Sequence, residues 1–501
     1  MLPVALLGLG LVPAVMAIPA AGRMAEPTVC VDRRVAVATP APTEAVVLGR
    51  RDIDDDARSY INRLAAEVPS KISRWVLSGT LDFPSGLPTG GQVKESANIS
   101  DDDLAAQPTQ VLNIPPYGNW TDNGWNVRVH GNVYKDPALD QDKVDELANT
   151  FLVDMSVESL SDSEKAQTRN VTRSIFVIQQ NNTSRRMNFT HKNGGADDAR
   201  GGSSNITLTD NTSLHGDFDV FVKLGNTTGY LMPGNETSKI QTLDLYAEGM
   251  NNNGNSTAYL VPPKGVTIIS DIDDILRVTK IYQPKEGLLN TFARPFSAWM
   301  NMPDIYADLS SSINDLHFHY LTTTPEQITR NYMSFIYNTY PLGSFDTRPL
   351  NFSDIPATLS IRRFLLDKIL QTFPDRKFIL VADTSNSDVM EVYPALYKAY
   401  PGQVQCIWLR NTSATDGANK FPYDTSGFKN ISENSYMFFT VPDDLTRLDV
   451  ANGQCLNNTV EQNVTFGIQG LQETNAAGGI SVRMIVVIIA GIVAVLVAVM
   501  V

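Results

Sequence analysis

The chain has 501 residues, of which 43% are apolar and 19% charged, and it carries a net charge of −14 with a pI of about 4.9. This length suits two or three domains, and the composition excludes a wholly disordered chain. The acidic balance argues against non-specific binding to nucleic acid, which needs a basic face, and an anionic substrate would require local cations.

The first 115 residues precede the segments with clear strand and helix patterns. Residues 1–17 form a short apolar run that ends in Val15-Met16-Ala17, a pattern typical of a secretory signal peptide, although a buried N-terminal helix would also fit. Residues 18–115 are rich in Ala, Pro, Asp, Gly and Ser. We expect a low-complexity segment here with one helix over residues 57–77, which Pro69 interrupts.

Residues 116–263 follow a period of two. The segments WNVRVHGNV, RSIFVIQ, RMNFTHK, NITLTD, DFDVFVKL and IQTLDLYA alternate apolar and polar residues and are separated by turns rich in Asn, Gly and Ser. They predict an antiparallel sheet, most simply a β-sandwich-like domain. No catalytic pattern is visible within it.

Residues 264–470 change to compact apolar strands that alternate with helical stretches. The strands are VTIIS, HFHYLT, KFILVA, VQCIWL and SYMFFT, and helices are expected near residues 357–372 and 389–400. This alternation predicts an α/β fold with a parallel sheet flanked by helices. Because ligands bind at the carboxyl ends of parallel strands, candidate site residues are sought there.

Acidic residues follow the first of these strands. Asp271, Asp273 and Asp274 come directly after VTIIS, where their like charges would raise one another's pKa unless a cation relieved the repulsion. Mg²⁺ is held by one or two carboxylates together with water and phosphate oxygens. One carboxylate could then attack phosphorus while a second moves a proton. A solvated acidic turn is the alternative interpretation.

Later elements supply complementary groups in the same position. Asp383 and Asp388 follow the strand KFILVA and could complete a metal site, and Thr322 ends HFHYLT, where its hydroxyl could hold a phosphate oxygen. Arg362 and Arg363 open the helix before KFILVA, and either could balance phosphoryl charge. Acid, hydroxyl, cation and acid in this order form a more specific pattern than any of them alone.

These motifs resemble the haloacid dehalogenase-type phosphotransferases. More closely, residues 264–445 resemble the catalytic domain of the fungal actin-patch-associated phosphatidate phosphatase family, through IISDIDDILRVT, LLNTFARPF, FHYLTTTPEQI and FPDRKFILVADTSNSDVMEVYPAL. HGDFDVFVKL and WNVRVHGNV are faintly similar to the β-domain that precedes it in that family. The resemblance implies a haloacid dehalogenase-like sheet and removal of phosphate from phosphatidate, which leaves diacylglycerol.

The resemblance also implies residue roles. Asp271 would be the nucleophile that forms an aspartyl-phosphate, and Asp273 the general acid and base with its backbone carbonyl on Mg²⁺. Thr322 and Arg362, or Arg363 in its place, would bind the phosphoryl group. Asp383 would ligate Mg²⁺, and Asp388 would support that site.

The chain departs from the family pattern at several positions, and two alternatives stay open. Ile275 stands where the motif has Thr, Ala382-Asp383-Thr384 replaces Gly-Asp-Ser, and an Arg occupies the position of a Lys, which is not equivalent at a bidentate site. The alternatives are a lipid- or phosphate-binding module without turnover, and a phosphatase for a soluble phosphomonoester. Exposure of the apolar stretch 288–300 would favour a membrane-bound substrate, but burial against the core is its commoner use.

The C-terminal region and the cysteines bear on the compartment. Residues 476–501 include a terminal apolar run, and with the small residues at 475–477 they fit a GPI-attachment signal or a transmembrane anchor. Sixteen asparagines stand in N-x-Ser/Thr frames. We therefore expect a glycosylated protein of the secretory pathway, anchored at the cell surface or on a lumenal membrane, in which Cys406 and Cys455 could form a disulfide.

Overall fold

A computed structural model describes residues 90–469, except 150, 153–154, 192–203, 225–230, 250–254, 349–354, 417–422 and 463–464. The predicted signal peptide, the helix over 57–77, Cys30 and the predicted anchor 476–501 lie outside the described residues. Within the described part, none of the helices is long and apolar enough to cross a membrane.

An antiparallel sheet occupies the first half of the described chain. Two short helices, α1 (Gly90–Ser96) and α2 (Asp101–Ala106), precede it. Its strands are β1 (Thr109–Asn113), β2 (Tyr117–Thr121), β3 (Gly124–Lys135), β4 (Ile178–Gln179), β5 (Arg186–His191), β6 (Ser204–Thr207), β7 (Asp217–Lys223), β8 (Gln241–Ala247) and β9 (Ser256–Val261). The pairing is antiparallel except between β2 and β9.

The long strand β3 joins this sheet into one hydrogen-bonded network. The sheet follows the order β1-β3-β2-β9-β8-β5-β6, and β4 and β7 also pair with β3. Alternate residues such as Val127, Val129, Phe189 and Leu243 face a common apolar core. The predicted antiparallel sheet is therefore confirmed.

One predicted strand of this region is wrong at its start. Residues 173–175 of the segment RSIFVIQ form the end of α4 (Asp162–Ile175), which follows α3 (Gln141–Asn149), and only Ile178–Gln179 is a strand. The Ser161 hydroxyl accepts from the Glu164 backbone and the Glu164 side chain accepts from Ser161, so a capping box starts the helix. Buried Val171 and Ile175 lie four residues apart on one helix face, and this spacing outweighs the local alternation.

The second half of the described chain contains the predicted parallel sheet. Its strands follow the order β12-β11-β10-β13-β14-β16, and every neighbouring pair is parallel. They are β10 (Val266–Asp271), β11 (His317–Pro325), β12 (Ser344–Arg348), β13 (Lys377–Asp383), β14 (Val404–Arg410) and β16 (Tyr436–Phe439). A separate small ribbon joins β15 (Tyr423–Asp424) to β17 (Ile468–Gln469).

Helices cover both faces of the parallel sheet. They are α5 (Pro284–Phe292), α6 (Met302–Ser312), α7 (Glu326–Thr339), α8 (Ile355–Thr372), α9 (Ser387–Ala399) and the single turn α10 (Thr412–Thr415). Ile268 of β10 packs in the core that contains Phe292 and Met302, whereas its neighbour Ile269 packs in the core that contains Leu366. This alternation explains why the strands read as continuous apolar runs.

The two sheets share buried contacts. Tyr117 and Val261 of the antiparallel sheet belong to the same apolar cluster as the inner face of α8. Arg128 of β3 pairs with Asp219 of β7 at 2.9 Å and with Asp346 of β12 at 2.7 Å, and all three side chains are buried. The antiparallel sheet therefore closes one side of the parallel-sheet core with both apolar and ionic contacts.

Three smaller expectations are decided by the structure. Cys406 and Cys455 are joined by a disulfide, as expected. His317 and His319 are buried and both contact the Ser344 hydroxyl, in accord with a packing role. The stretch 288–300 is mostly buried through Leu288, Leu289, Phe292 and Trp299, although Met300 is exposed, so it forms core and does not present an apolar surface.

Candidate active site

The predicted residues converge at the carboxyl edge of the parallel sheet. Asp271 ends β10, Thr322 lies near the end of β11 and Asp383 ends β13, and these three strands are neighbours in the sheet. Arg362 reaches the same place from α8. All the predicted site side chains are buried, and the most exposed, Asp388, is only 5% accessible.

Asp271 is held on both carboxylate oxygens. Oδ1 accepts from the Ile272 backbone at 2.9 Å, and Oδ2 accepts from the Asn386 amide at 2.9 Å and lies 3.0 Å from Arg362 Nη2. Burial raises its pKa to about 7, because Arg362 only partly offsets the desolvation and the charges of Asp383 and Asp273 add to it. This environment favours a bound cation next to Asp271.

Asp273 has a very different environment. Arg277 donates to Oδ1 through Nε at 3.0 Å and Nη2 at 2.8 Å, and Thr279 donates to the same oxygen at 2.9 Å. Thr322 and Thr324 donate to Oδ2 at 3.1 and 2.9 Å. Burial acts to raise the pKa of Asp273, but Arg277 and the threonine hydroxyls outweigh it and lower the pKa. Asp273 is therefore ionised in this arrangement.

Asp274, the third acid of the motif, organises the backbone. Its Oδ1 accepts from the Thr279 and Lys280 amides at 3.1 and 2.7 Å, and its Oδ2 accepts from the Ile281 amide at 3.0 Å. The residue itself adopts a left-handed conformation with φ of 60°. Through these three hydrogen bonds, the Asp274 carboxylate holds the backbone of residues 279–281 close to the end of β10.

The geometry distinguishes the two candidate arginines. Arg362 donates from Nε to Asp388 Oδ2 at 2.8 Å and pairs with Asp271, whereas Arg363 pairs with Asp367 of the same helix. Nη2 of Arg362 is engaged in the ion pair with Asp271, whereas the buried Nη1 group completes no hydrogen bond among the described residues. Nη1 could therefore donate to a phosphoryl oxygen. Asp388 contacts Arg362, so in this arrangement it orients that cation.

Asp383 retains an unused oxygen. Its Oδ1 accepts from the Ser385 amide and hydroxyl and from the Thr412 hydroxyl, whereas Oδ2 is buried and without a hydrogen-bond partner among the described residues. Burial and the nearby Asp274 raise its pKa to about 6. A buried carboxylate oxygen without a donor suits a hard cation such as Mg²⁺.

The described part of the chain contains no dense cluster of metal-ligating side chains. No group of three or more His, Cys, Asp or Glu side chains there is gathered as metal ligands are. Asp271 and Asp383 still fit Mg²⁺, since this ion needs only one or two carboxylates.

Sequence reasoning missed several residues that shape the site. Arg277 and Thr279 bind Asp273 from within the same loop, Thr324 binds it from β11, and Asn386 binds Asp271. Thr324 and Asn386 stood inside the motifs but carried no signal that separated them from neighbouring polar residues. Asp273 and Arg277 have opposite charges four residues apart, but they lie in a turn, where this spacing alone does not predict a contact.

Comparison with known proteins bears on this segment. Residues 266–411 match the family model described as "Phosphatidate phosphatase APP1, catalytic domain". The resemblance to that family is thereby confirmed. The six predicted site residues, Asp271, Asp273, Thr322, Arg362, Asp383 and Asp388, all lie within the matched range.

One relative extends the comparison. The chain is 30% identical over 219 residues to "Phosphatidate phosphatase APP1" of Saccharomyces cerevisiae (strain ATCC 204508 / S288c). The match covers 41% of this chain and 37% of that protein, so the chain spans under two fifths of the length of the curated relative it matches.

Proposed function

We propose that this chain is a Mg²⁺-dependent phosphatidate phosphatase with a haloacid dehalogenase-like catalytic fold. The observation that carries the proposal is the buried set of Asp271, Arg362, Thr322 and Asp383 inside the segment that matches the APP1 catalytic domain. The family match supports hydrolysis of a phosphoric monoester, and the relative's name supports phosphatidate as the substrate.

The residues suggest a two-step reaction. The Nη1 group of Arg362 and the Thr322 hydroxyl bind the phosphoryl oxygens, and a carboxylate oxygen of Asp271 attacks phosphorus to form an aspartyl-phosphate. Asp273 takes up a proton from solvent when the substrate binds and gives it to the leaving oxygen, so that diacylglycerol departs as the neutral alcohol. Water then attacks the aspartyl-phosphate as Asp273 takes its proton, which restores Asp271 and releases phosphate.

Thr322 links substrate binding to Asp273. Its hydroxyl donates to Asp273 Oδ2 in the structure, and the same hydroxyl is assigned to the phosphoryl group. Transfer of this donor to the substrate removes a hydrogen bond that favours the ionised carboxyl, so the proton affinity of Asp273 rises when the substrate is bound.

Mg²⁺ would be held by Asp271 and by the free Oδ2 of Asp383. When bound, it supplies positive charge next to the phosphoryl oxygens. Burial raises the pKa of both carboxyls, so a bound cation would relieve the cost of ionising them.

A soluble phosphomonoester is the second candidate substrate. The observation that favours it is burial of the stretch 288–300, which leaves no broad apolar surface there for a bilayer. Both candidates use the same acids, so the choice depends on where the rest of the substrate binds.

Phosphate release from the purified full chain tests the proposal. We expect turnover of phosphatidate in mixed micelles that requires Mg²⁺, and loss of turnover in Asp271→Asn, which keeps the size of the side chain but removes the nucleophile. Circular dichroism should show both proteins equally folded. Turnover only of soluble phosphomonoesters would establish the second candidate, whereas no turnover of any substrate by the wild type would favour a binding module.

A further inference from the structure

The guanidinium of Arg277 makes a close contact with Asp273 that neither the motif nor the family match assigns. Two N–H groups, Nε and Nη2, converge on the single oxygen Oδ1, at 3.0 and 2.8 Å. The Arg277 side chain is only 1% accessible. Its Cζ atom lies 4.2 Å from the ring centre of Tyr332 and 5.3 Å from that of Phe296.

Backbone hydrogen bonds fix the position of Arg277. The Arg277 carbonyl accepts from the Asp274 amide at 2.9 Å, and the Arg277 amide donates to the Ile272 carbonyl at 3.2 Å. Arg277 and Asp273 therefore belong to one tight turn. The rings of Tyr332 and Phe296 limit the movement of the guanidinium, and its Nη1 donates to the Asn290 carbonyl at 3.4 Å.

The two oxygens of Asp273 consequently have different partners. Among the described residues, Oδ1 receives Arg277 and Thr279 from the loop after β10, whereas Oδ2 receives the hydroxyls of Thr322 and Thr324 alone. A hydroxyl can turn toward another acceptor, but the buried guanidinium cannot leave without breaking two charge-assisted hydrogen bonds. The carboxylate is thus held by one oxygen and available at the other.

We propose that Arg277 is a positioning residue that fixes the Asp273 carboxylate through Oδ1, so that Oδ2 alone exchanges the proton with the leaving oxygen and with water. This inference rests on the proposed function, because it assigns a direction to the proton transfer of that reaction. An arginine suits the role better than a lysine, since an ammonium cannot place two N–H groups of one planar edge on the same oxygen.

A matched control exists elsewhere in the chain. Arg330 is also buried, pairs with an acid four residues away, Glu326 at 3.0 Å, and lies 4.3 Å from the ring centre of Tyr134. It thus has the same type of ion pair and ring contact, but its acid is not one of the site carboxyls. Loss of Arg330 should reproduce the structural cost of removing a buried arginine without the effect on proton transfer.

The experiment compares full-length wild type, Arg277→Lys, Arg277→Ala and Arg330→Ala in phosphate release from phosphatidate. For Arg277→Ala we expect kcat to fall by about 100-fold with KM within about twofold, since a misplaced acid–base group loses much of its contribution. Arg277→Lys should fall between this variant and wild type, and millimolar guanidinium should partly restore Arg277→Ala. Arg330→Ala should keep kcat within about twofold of wild type when it is folded.

The outcomes separate the inference from the proposed function. Wild-type turnover together with a folded Arg277→Ala whose kcat equals that of wild type would overturn the role of Arg277 alone. A rise in KM at constant kcat would also overturn it, because it would mark a substrate-binding residue. An equal loss in Arg330→Ala would reduce the effect to general destabilisation and overturn the role, and an inactive wild type would overturn the proposed function and the inference together.

Discussion

Three carboxyl groups at the carboxyl edge of the sheet differ in the hydrogen-bond donors around them. Asp273 receives five N–H and O–H groups and its pKa is lowered, whereas Asp271 receives fewer and its pKa is raised to about 7 by burial. Asp383 keeps one oxygen without a partner among the described residues. Such divergent environments are a common way to give chemically identical side chains separate roles.

Replacement of Asp383 by Asn should weaken Mg²⁺ binding. The amide removes one negative charge from the pair that would hold the ion, so the Mg²⁺ concentration for half-maximal activity should rise at least about tenfold, while activity returns toward the wild-type value in excess Mg²⁺. Asp367→Asn is the control, since Asp367 pairs with Arg363 and is not one of the site carboxyls. An unchanged Mg²⁺ requirement in Asp383→Asn would remove Asp383 from the metal site.

At the scale of single elements, α8 connects the site to the antiparallel sheet. Arg362 projects from this helix toward Asp271, and six residues later Lys368 contacts Asp219 of β7. The helix ends at Thr372, whose carbonyl accepts from Asn119 of β2 at 3.1 Å. The antiparallel sheet thus sets the position of the helix that carries the phosphoryl-binding arginine.

Replacement of Lys368 by Met should therefore lower stability. Asp219 keeps its pair with Arg128, so loss of Lys368 should cost about 2 kcal/mol, the value for one hydrogen bond to a buried charged group. Arg363→Met, which breaks the pair with the more accessible Asp367 on the same helix, should cost less than about 1 kcal/mol. Urea unfolding of the three proteins gives these differences. Similar losses in both variants would mean that the contact with Asp219 does not hold α8.

The pH dependence of that difference provides a second check. Arg128 and Lys368 overcome the desolvation of Asp219 and lower its pKa to about 2, from an ordinary value near 4. Its ionised form therefore stabilises the fold above about pH 4, and this contribution is lost as the pH falls toward 2. The gap between wild type and Lys368→Met should shrink over that range.

The elements that the sequence predicted well are those with a local cause. Five compact apolar runs became β10, β11, β13, β14 and β16, because strands buried on both faces need apolar residues throughout. The strand β12, SFDTR, was not predicted because it contains the charged residue Asp346. This residue is buried in a strand because Arg128, 218 positions earlier in the chain, neutralises it. In the same way, Arg277 and Asn386 could not be assigned before the loops that carry them were placed together.

At the scale of the whole molecule, a disulfide joins the parallel sheet to the segment after β16. Cys406 lies in β14 and Cys455 is 49 residues further along the chain. In the described part of the segment after β16, the regular structure consists of short 3₁₀ turns and β17, so the bond secures a region with few other regular contacts. It also accords with the oxidising compartment expected from the sequence, which stays a prediction.

Loss of this bond should lower the free energy of unfolding by up to about 4 kcal/mol, the value for closing a loop of this length in the unfolded chain. Thermal unfolding with and without dithiothreitol measures it. The reductant should lower the melting temperature of the wild type toward that of Cys455→Ser and leave the variant unchanged. No response of the wild type would show that the bond contributes nothing measurable.

The shared core between the two sheets determines where the chain can be shortened. A fragment that starts at residue 264 would retain every acid of the site, but it would leave Asp346 without Arg128 and expose the face of α8 that Tyr117 and Val261 cover. An unpaired buried charge and a bare apolar face both favour aggregation over folding. The matched catalytic segment is therefore shorter than the part of the chain that has to fold together. A truncation or a recombination between β9 and β10 would separate two sheets that share one core.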